Sequence, residues 1–287
     1  MHLTTRNAAA RLGVSESTVK RMCDEGILGS IRTSGGHRRI LSESLEQWIE
    51  SQRVAAAAAF QPGPEGELTP QWVADCLLAG KVDDLVPPLR QQVEDHQSSV
   101  GVLDGLIAPA LWTVGSLWRT GRIDVYQEHL ATRNAQEVIQ RIRVPSRNWI
   151  RRDSEPKAIG GVPPSEHHDV ASSMIEIVLR EQGWDARSLG QDLPTESFVA
   201  AVANEQPDLV WLSSTIEQDT EATIGWAKQI RSTLKSHQRM VVGGQGMTPA
   251  IRRAIEFEFA GDSLAHLAKF ASGFRQEWID RETEFSN

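Results

Sequence analysis

Gly160-Gly161-Val162-Pro163-Pro164-Ser165-Glu166-His167-His168-Asp169 joins a strand-like run to a helix and carries an acid and a histidine two residues apart. An apolar run from Lys157 to Val162 has the length and flanks of a buried strand, and it ends in a proline-marked loop. An amphipathic helix starts directly afterwards. Two later turns, Leu212-Ser213-Ser214-Thr215 and Val241-Val242-Gly243-Gly244, close strand-like runs of the same kind. The pattern predicts strands at 157–162, 185–189, 208–213, 239–243 and 257–260. Helices are predicted between and after them, at 169–182, 195–205, 219–235, 248–256 and 263–281. Such alternation makes a parallel sheet with helices on both faces. Right-handed crossovers suggest strand order 2-1-3-4-5, a doubly wound, flavodoxin-like (Rossmann-like) sheet with its ligand crevice at the carboxyl ends of strands 1 and 3. The turns carrying Glu166/His168, Ser213/Thr215 and Gly243/Gly244 then share one edge.

Working back toward the N-terminus, residues 68–144 are helical in pattern, with apolar-periodic segments at 69–79, 82–97, 100–119 and 123–143. Their short links make sequential helices antiparallel neighbours, so a four-helix bundle is expected. Before it, an alanine run (Ala55 to Ala59) and Gln61-Pro62-Gly63-Pro64-Glu65-Gly66 read as a linker. The first fifty residues hold a helix from Arg6 to Leu12, Gly13 as a left-handed cap, Ser15 as the next N-cap, and a second helix through Met22. Helix, glycine turn, helix is the helix-turn-helix pattern. The Gly35-Gly36 turn between extended runs adds a small wing, and Leu41 to Ile49 opens another helix. The expected domains are a winged helix-turn-helix head (1–53), a linker (54–67), the bundle (68–150) and the Rossmann-like domain (151–287).

The chain is long enough for each of these to have its own core. Of its 287 residues, 40% are hydrophobic and 24% charged, ordinary values for a globular protein. Net charge is −8, but residues 1–53 carry eight Lys/Arg against six Asp/Glu, so this head is +2 and the remainder −10. Only the head suits nucleic acid. The two cysteines, Cys23 and Cys76, form no metal-type spacing and fit a reducing cytoplasm. No secretory signal and no apolar run of membrane-spanning length are expected. No hydrolase elbow, P-loop or kinase motif set is present, so an enzyme is not expected. Trp184, Trp211 and Trp226 read as packing residues.

Neutral imidazole is a good ligand for borderline transition metals, its second nitrogen usually held by a carboxylate. On the residues alone His167 and His168 are equally eligible, and Glu166 or Asp169 can serve as that carboxylate. Paired glycines after a strand allow close backbone approach to a ligand, and small hydroxyls line a slot without filling it.

Glu166-x-His168-x-x-Ala171, then Ser213-x-Thr215, then Gly243-Gly244, resembles the cobalamin-binding signature D-x-H-x-x-G … S-x-L … G-G. The resemblance picks His168 as the cobalt ligand, replacing the corrinoid's own lower base, with the displaced nucleotide tail in a slot bordered by the serine and glycine turns. Three positions depart from it: Glu166 keeps the carboxylate, Ala171 adds a methyl beside the slot, and Thr215 replaces an apolar residue. Trp118, nine residues, then Glu128-His129 resembles the W-x9-E-H element of the CarH-type light-responsive repressors. In that family the helical bundle caps the adenosyl face of adenosylcobalamin. The same resemblance implies that Trp118 covers the upper ligand while Glu128 and His129 bond to it. That family has a histidine directly after the tryptophan; here Arg119 stands there, and a protonated guanidinium does not ligate cobalt. A photoproduct locked by two histidines would need His129 to move in.

The run Thr33-Ser34-Gly35-Gly36-His37-Arg38-Arg39 resembles the wing of MerR-type and excisionase-type DNA-binding heads. Ser17, Thr18, Lys20 and Arg21 then face the major groove, and His37, Arg38 and Arg39 reach phosphate or minor groove. The resemblance as a whole implies a cytoplasmic regulator, in the sense of a repressor, binding operator DNA as a dimer or tetramer under control of bound adenosylcobalamin and light. The alternatives are a corrinoid methyl carrier with a DNA head, and a cofactor-independent regulator answering to a protein antagonist.

Overall fold

The computed structural model describes residues 2–12, 16–24, 26–32, 38–45, 68–143, 155–215, 219–261 and 263–285. The caps expected at Gly13 and Ser15, the wing tip with His37, the helix toward Ile49 and the linker through residue 67 lie outside them.

In the head, β1 (His2–Thr4) leads into α1 (Thr5–Leu12) and α2 (Glu16–Asp24), followed by β2 (Ser30–Arg32) and β3 (Arg38–Leu41). Thr4 caps α1, its Oγ1 accepting from Asn7 N at 3.1 Å. The three strands pair antiparallel in the order β1-β3-β2, with Leu3 opposite Ile40 and Ile31 opposite Arg39. Strand β1 is an addition to the sequence reading. Ala8, Val19, Met22, Leu28, Ile40 and Leu45 form a small buried core between helices and sheet.

The helical segments stand where the apolar period puts them: α3 (Pro70–Leu78), α4 (Val82–His96), then α5 (Val100–Val102), a π turn (Leu103–Ile107) and α6 (Ala108–Arg119), and finally α7 (Val125–Ile142). Thr69 caps α3 by accepting from Trp72 N at 3.2 Å, with Pro70 in the first turn where a missing N–H costs nothing. Gly121, at φ 70, turns the chain from α6 to α7. Contrary to the sequence expectation, one helical stretch among the described residues, Val100–Arg119, is long and apolar enough to cross a membrane, with a mean hydropathy of 1.5. Its Leu103, Ile107, Ala110 and Val114 are buried at helical spacing, one apolar stripe of the stretch, while Trp112 is exposed.

The chain divides into two compact units, Met1–Leu85 with Leu106–Glu137, and Val86–Gly105 with Val138–Asn287. In the first, α3 packs on α6, and Asn134 Nδ2 of α7 donates to the Leu77 carbonyl at 2.8 Å.

The second unit holds the α/β layer: β4 (Lys157–Gly161), α8 (Val170–Glu181), β5 (Asp185–Ser188), α9 (Thr195–Glu205), β6 (Leu209–Ser213), α10 (Thr220–Thr233), β7 (Arg239–Gly243), α11 (Pro249–Ala254), β8 (Phe259–Gly261) and α12 (Leu264–Phe285). All five strands are parallel, in the order β5-β4-β6-β7-β8, which is 2-1-3-4-5. One face of the sheet packs on α9, α10 and α11 through Phe198, Val202, Trp226, Ile230 and Ile251. The other packs on α8 and α12 through Leu179, Trp184, Trp211, Leu267 and Phe274. Both faces are covered, as the near-continuous apolar strands require. Two carboxylates tie the preceding helical residues to this layer. Asp104 in the π turn accepts from Leu264 N and Ala265 N at 2.9 and 2.8 Å, capping α12. Glu181 at the end of α8 accepts from Ser99 N at 3.1 Å.

Candidate functional site

The carboxyl edge of β4, β6 and β7 gathers the three loops that the sequence singles out. Val162, Pro163 and Pro164 carry the chain out of β4, and Ser165 sits at φ 65, a left-handed conformation uncommon for a side-chain-bearing residue. That strain is held by reciprocal bonds with the loop after β5. Ser165 N donates to Asp192 Oδ1 at 2.9 Å, and Asp192 N donates to the Glu166 carbonyl at 3.1 Å.

Glu166 is fully buried. One carboxylate oxygen accepts from Ser214 Oγ at 2.9 Å and the other from Thr215 N at 2.8 Å. The acid therefore staples the loop after β4 to the loop after β6. Ser214 N in turn donates to the Gly243 carbonyl at 3.1 Å, and Gly246 N to the Ser214 carbonyl at 2.9 Å, which brings in the loop after β7. Gly244 is required at its place: its φ is +89, and a Cβ there would lie 2.1 Å from the Ser214 carbonyl oxygen. A Cβ on Gly243 would come within 3.0 Å of the Gly261 carbonyl.

The two histidines are not equivalent. His167 is exposed, whereas His168 is half-buried and its Nδ1 is buried without a hydrogen-bond partner. The carboxylate partner expected for this nitrogen, Glu166 or Asp169, does not hold it. Two hydroxyls of the next loop share its condition: Ser213 Oγ and Thr215 Oγ1 are buried without partners. Buried polar atoms are almost always paired, so three orphans along one sheet edge mark a place built for a polar ligand. A planar group with a metal at its centre fits this donor set: an imidazole to one side, hydroxyls and glycine backbone along the rim. Two residues before Ser213 on β6, the Trp211 side chain is 1% exposed.

In the other unit, Trp118 is the penultimate residue of α6 and Glu128 lies in the first turn of α7. Trp118 Nε1 is buried without a partner. Glu128 is buried and accepts from Thr132 Oγ1 at 2.9 Å, while His129, largely exposed, stands 3.7 Å from its carboxylate. Arg119 is exposed.

In the head, Lys20 is exposed on α2, which also carries Ser17, Thr18 and Arg21, whose side chains fall outside the described residues. Arg38 and Arg39 open β3 half-buried, and the Arg38 guanidinium is paired with Asp24 at the end of α2. That ion pair spans the wing strand and the helix.

Sequence reasoning named Ser213 and passed over Ser214, the residue that Glu166 holds. The signal was available in the strand period: Ser213 shares a face with Trp211, so Ser214 turns the other way. Asp192 carries no comparable signal, since its role comes from a loop 27 residues away.

Residues 3–53 match the helix-turn-helix domain family, and residues 72–143 and 156–264 each match a B12 binding domain. The chain is similar to the HTH-type transcriptional repressor CarH of Myxococcus xanthus, 26% identical over 231 residues, covering 79% of this chain and 72% of the relative. CarA of the same organism, also an HTH-type transcriptional repressor, is 26% identical over 74% of this chain and 76% of its own length. Among solved structures, the monomethylamine corrinoid protein of Methanosarcina barkeri shares the fold, with a TM-score of 0.56 over 70% of this chain and 95% of that one at 17% identity. A helix-turn-helix head joined to two B12-binding segments, in a chain similar to these repressors over most of its length, supports a cobalamin-binding transcriptional regulator that is CarH-like.

Proposed function

We propose that this chain is a cytoplasmic repressor whose grip on operator DNA is set by adenosylcobalamin, with residues 1–53 as the MerR-type DNA head, 54–67 as tether, 68–150 as helical cap and 151–287 as the corrinoid domain. The observation that carries the reading is His168: a half-buried imidazole with an orphaned nitrogen, on the edge where Ser213 and Thr215 also lack partners. His168 would hold the cobalt of a bound corrinoid through a ring nitrogen, since neutral imidazole is a good ligand for such a metal. Ser213, Thr215 and the Gly243-Gly244 backbone form the rim, and Glu166 holds that rim in place. Trp118, Glu128 and His129 belong to the upper side. An indole covers an adenine-sized face, and its unpaired Nε1 has a donor to offer. Bound cobalamin supplies a cobalt–carbon bond that light cleaves; the protein's part is to bind, orient and respond. Bound adenosylcobalamin favours an oligomer, dimer or tetramer, that presents several heads to DNA. Loss of the upper ligand shifts the population away from it. Within the head, Ser17, Thr18, Lys20 and Arg21 serve the major groove, with His37, Arg38 and Arg39 on the backbone.

The test is an absorption spectrum of the full chain loaded with adenosylcobalamin, in the dark and after green illumination, beside size-exclusion chromatography of both states. The expected result is a bound spectrum that changes on illumination together with a smaller assembly in the light. His168→Ala is expected to alter the dark spectrum and weaken binding at least tenfold, about 1.4 kcal/mol, with His167→Ala unchanged. An unaltered spectrum in His168→Ala overturns the ligand assignment. Identical elution in dark and light overturns the switch.

A further inference from the structure

Two residues before Ser213, on the same face of β6, stands Trp211. Strands β4 and β6 are parallel neighbours, and Gly160 lies directly opposite Trp211 in their register. With no side chain at 160 the indole lies down across β4: a Cβ on Gly160 would be 2.1 Å from Trp211 Cδ2. Its Nε1 donates to Ser172 Oγ at 2.8 Å, in the first turn of α8. Ser172 Oγ shares a further bond of 2.9 Å with Ser188 Oγ at the end of β5. Indole and Ser172 are both buried. The chain Trp211–Ser172–Ser188 thus runs from β6 across Gly160 to α8 and β5. Tryptophan at 211 and glycine at 160 act as a pair, since any larger residue at 160 would expel the ring.

Resting on the cobalamin reading above, we propose that Trp211 decides which corrinoids this chain accepts. The ring is taken at His168, while the space that a nucleotide tail would need beneath Ser213 is held by the indole, so the tail stays outside the sheet. For a tail to enter, the indole must leave the core, breaking its bond to Ser172 and abandoning its packing against Leu209, Val241 and Leu267. A complete cobalamin then gains nothing from its tail and must still release its own lower base from cobalt to accept His168, so corrinoids of the cobinamide class, which have no such base, bind at least as well.

Equilibrium titration of the full chain with cobalamin and with cobinamide, followed by absorption, tests this. Wild type is expected to bind cobinamide as tightly as complete cobalamin or more tightly. Trp211→Phe keeps a ring in the slot and keeps that ratio. Trp211→Ala opens the slot and shifts the ratio at least about tenfold toward complete cobalamin. Should Trp211→Ala fail to fold, the wild-type ratio decides alone: a preference of tenfold or more for complete cobalamin means the indole yields, and the proposal falls. If wild type binds neither corrinoid, the cobalamin reading itself fails and takes this proposal with it, an outcome distinct from binding both unequally.

Discussion

Removing the Glu166 carboxylate tests whether the candidate site is held together as its bonds imply. The side chain is fully buried and accepts from Ser214 Oγ at 2.9 Å and Thr215 N at 2.8 Å. A hydrogen bond to a charged group contributes roughly 1.5–3 kcal/mol, and a buried donor left unpaired costs about 1–3 kcal/mol. The Ser214 hydroxyl can rotate toward another acceptor, whereas the Thr215 N–H is fixed by its backbone. Weighing the two, Glu166→Ala costs about 4 kcal/mol. For a unit of this size each kcal/mol moves the midpoint by about 2–4 °C, so the α/β transition should fall by roughly 8–16 °C. Glu166→Gln retains one acceptor oxygen but points an amide N–H₂ at a second donor, and should cost about half as much. Differential scanning calorimetry on the full chain, following the transition of the α/β unit, reads both variants. The companion observable is affinity: with the rim loops released, cobalamin binding by Glu166→Ala weakens even where the variant is still folded. A Glu166→Ala protein melting within about 2 °C of wild type would mean that Glu166 does not hold these loops, because a staple that costs nothing to remove holds nothing.

Two further outcomes follow from the same geometry. Gly244→Ala places a Cβ 2.1 Å from the Ser214 carbonyl at a φ of +89, and should cost at least about 3 kcal/mol; Gly190→Ala, at φ +84 with open space around it, should cost only about 1 kcal/mol, so denaturant midpoints that coincide would show that contact has no energetic weight. Burial pushes the Glu181 carboxyl above its ordinary value, against bonds from Ser99 and Ser98 that pull it down. The folded form therefore holds the proton more tightly than the unfolded one, and this contribution is present below the ordinary carboxylate range and lost as pH rises through the raised value. Glu181→Gln keeps an acceptor for Ser99 N without a charge, so its stability should change less than wild type's between about pH 4 and pH 7; equal slopes in urea melts at the two ends would contradict this.

The parallel sheet could be read from sequence because its strands are short, apolar and separated by unambiguous helices, and the crossover rule leaves few strand orders. Lys157 to Val162 and Leu209 to Ser213 needed no tertiary information to be placed. Strand β1 escaped because His2–Thr4 is too short to show a period and exists only through pairing with β3, more than thirty residues later. The π turn at Leu103–Ile107 escaped for a related reason: its apolar spacing is that of an ordinary helix, and what distinguishes it is Asp104 reaching the first turn of α12.

The site divides along the same line. That His168 and the two later turns share an edge follows from topology, which the local pattern determines. Which partner each side chain chooses does not follow, because it depends on heights along the strands. Glu166 stands two residues from His168, and proximity in sequence suggested that the acid serves the imidazole. In the fold the acid turns inward to the loop after β6 and leaves Nδ1 of His168 unpaired. Trp211 is the sharper case. As one apolar residue in an apolar strand it reads as packing, and packing is what it does. Only the register that sets it against Gly160 shows that the ring lies across β4, which is what the proposed role in corrinoid choice rests on. On the proposal above, a core side chain and a specificity determinant would be one residue, and the test of that is whether the tail of a corrinoid changes its affinity for this chain.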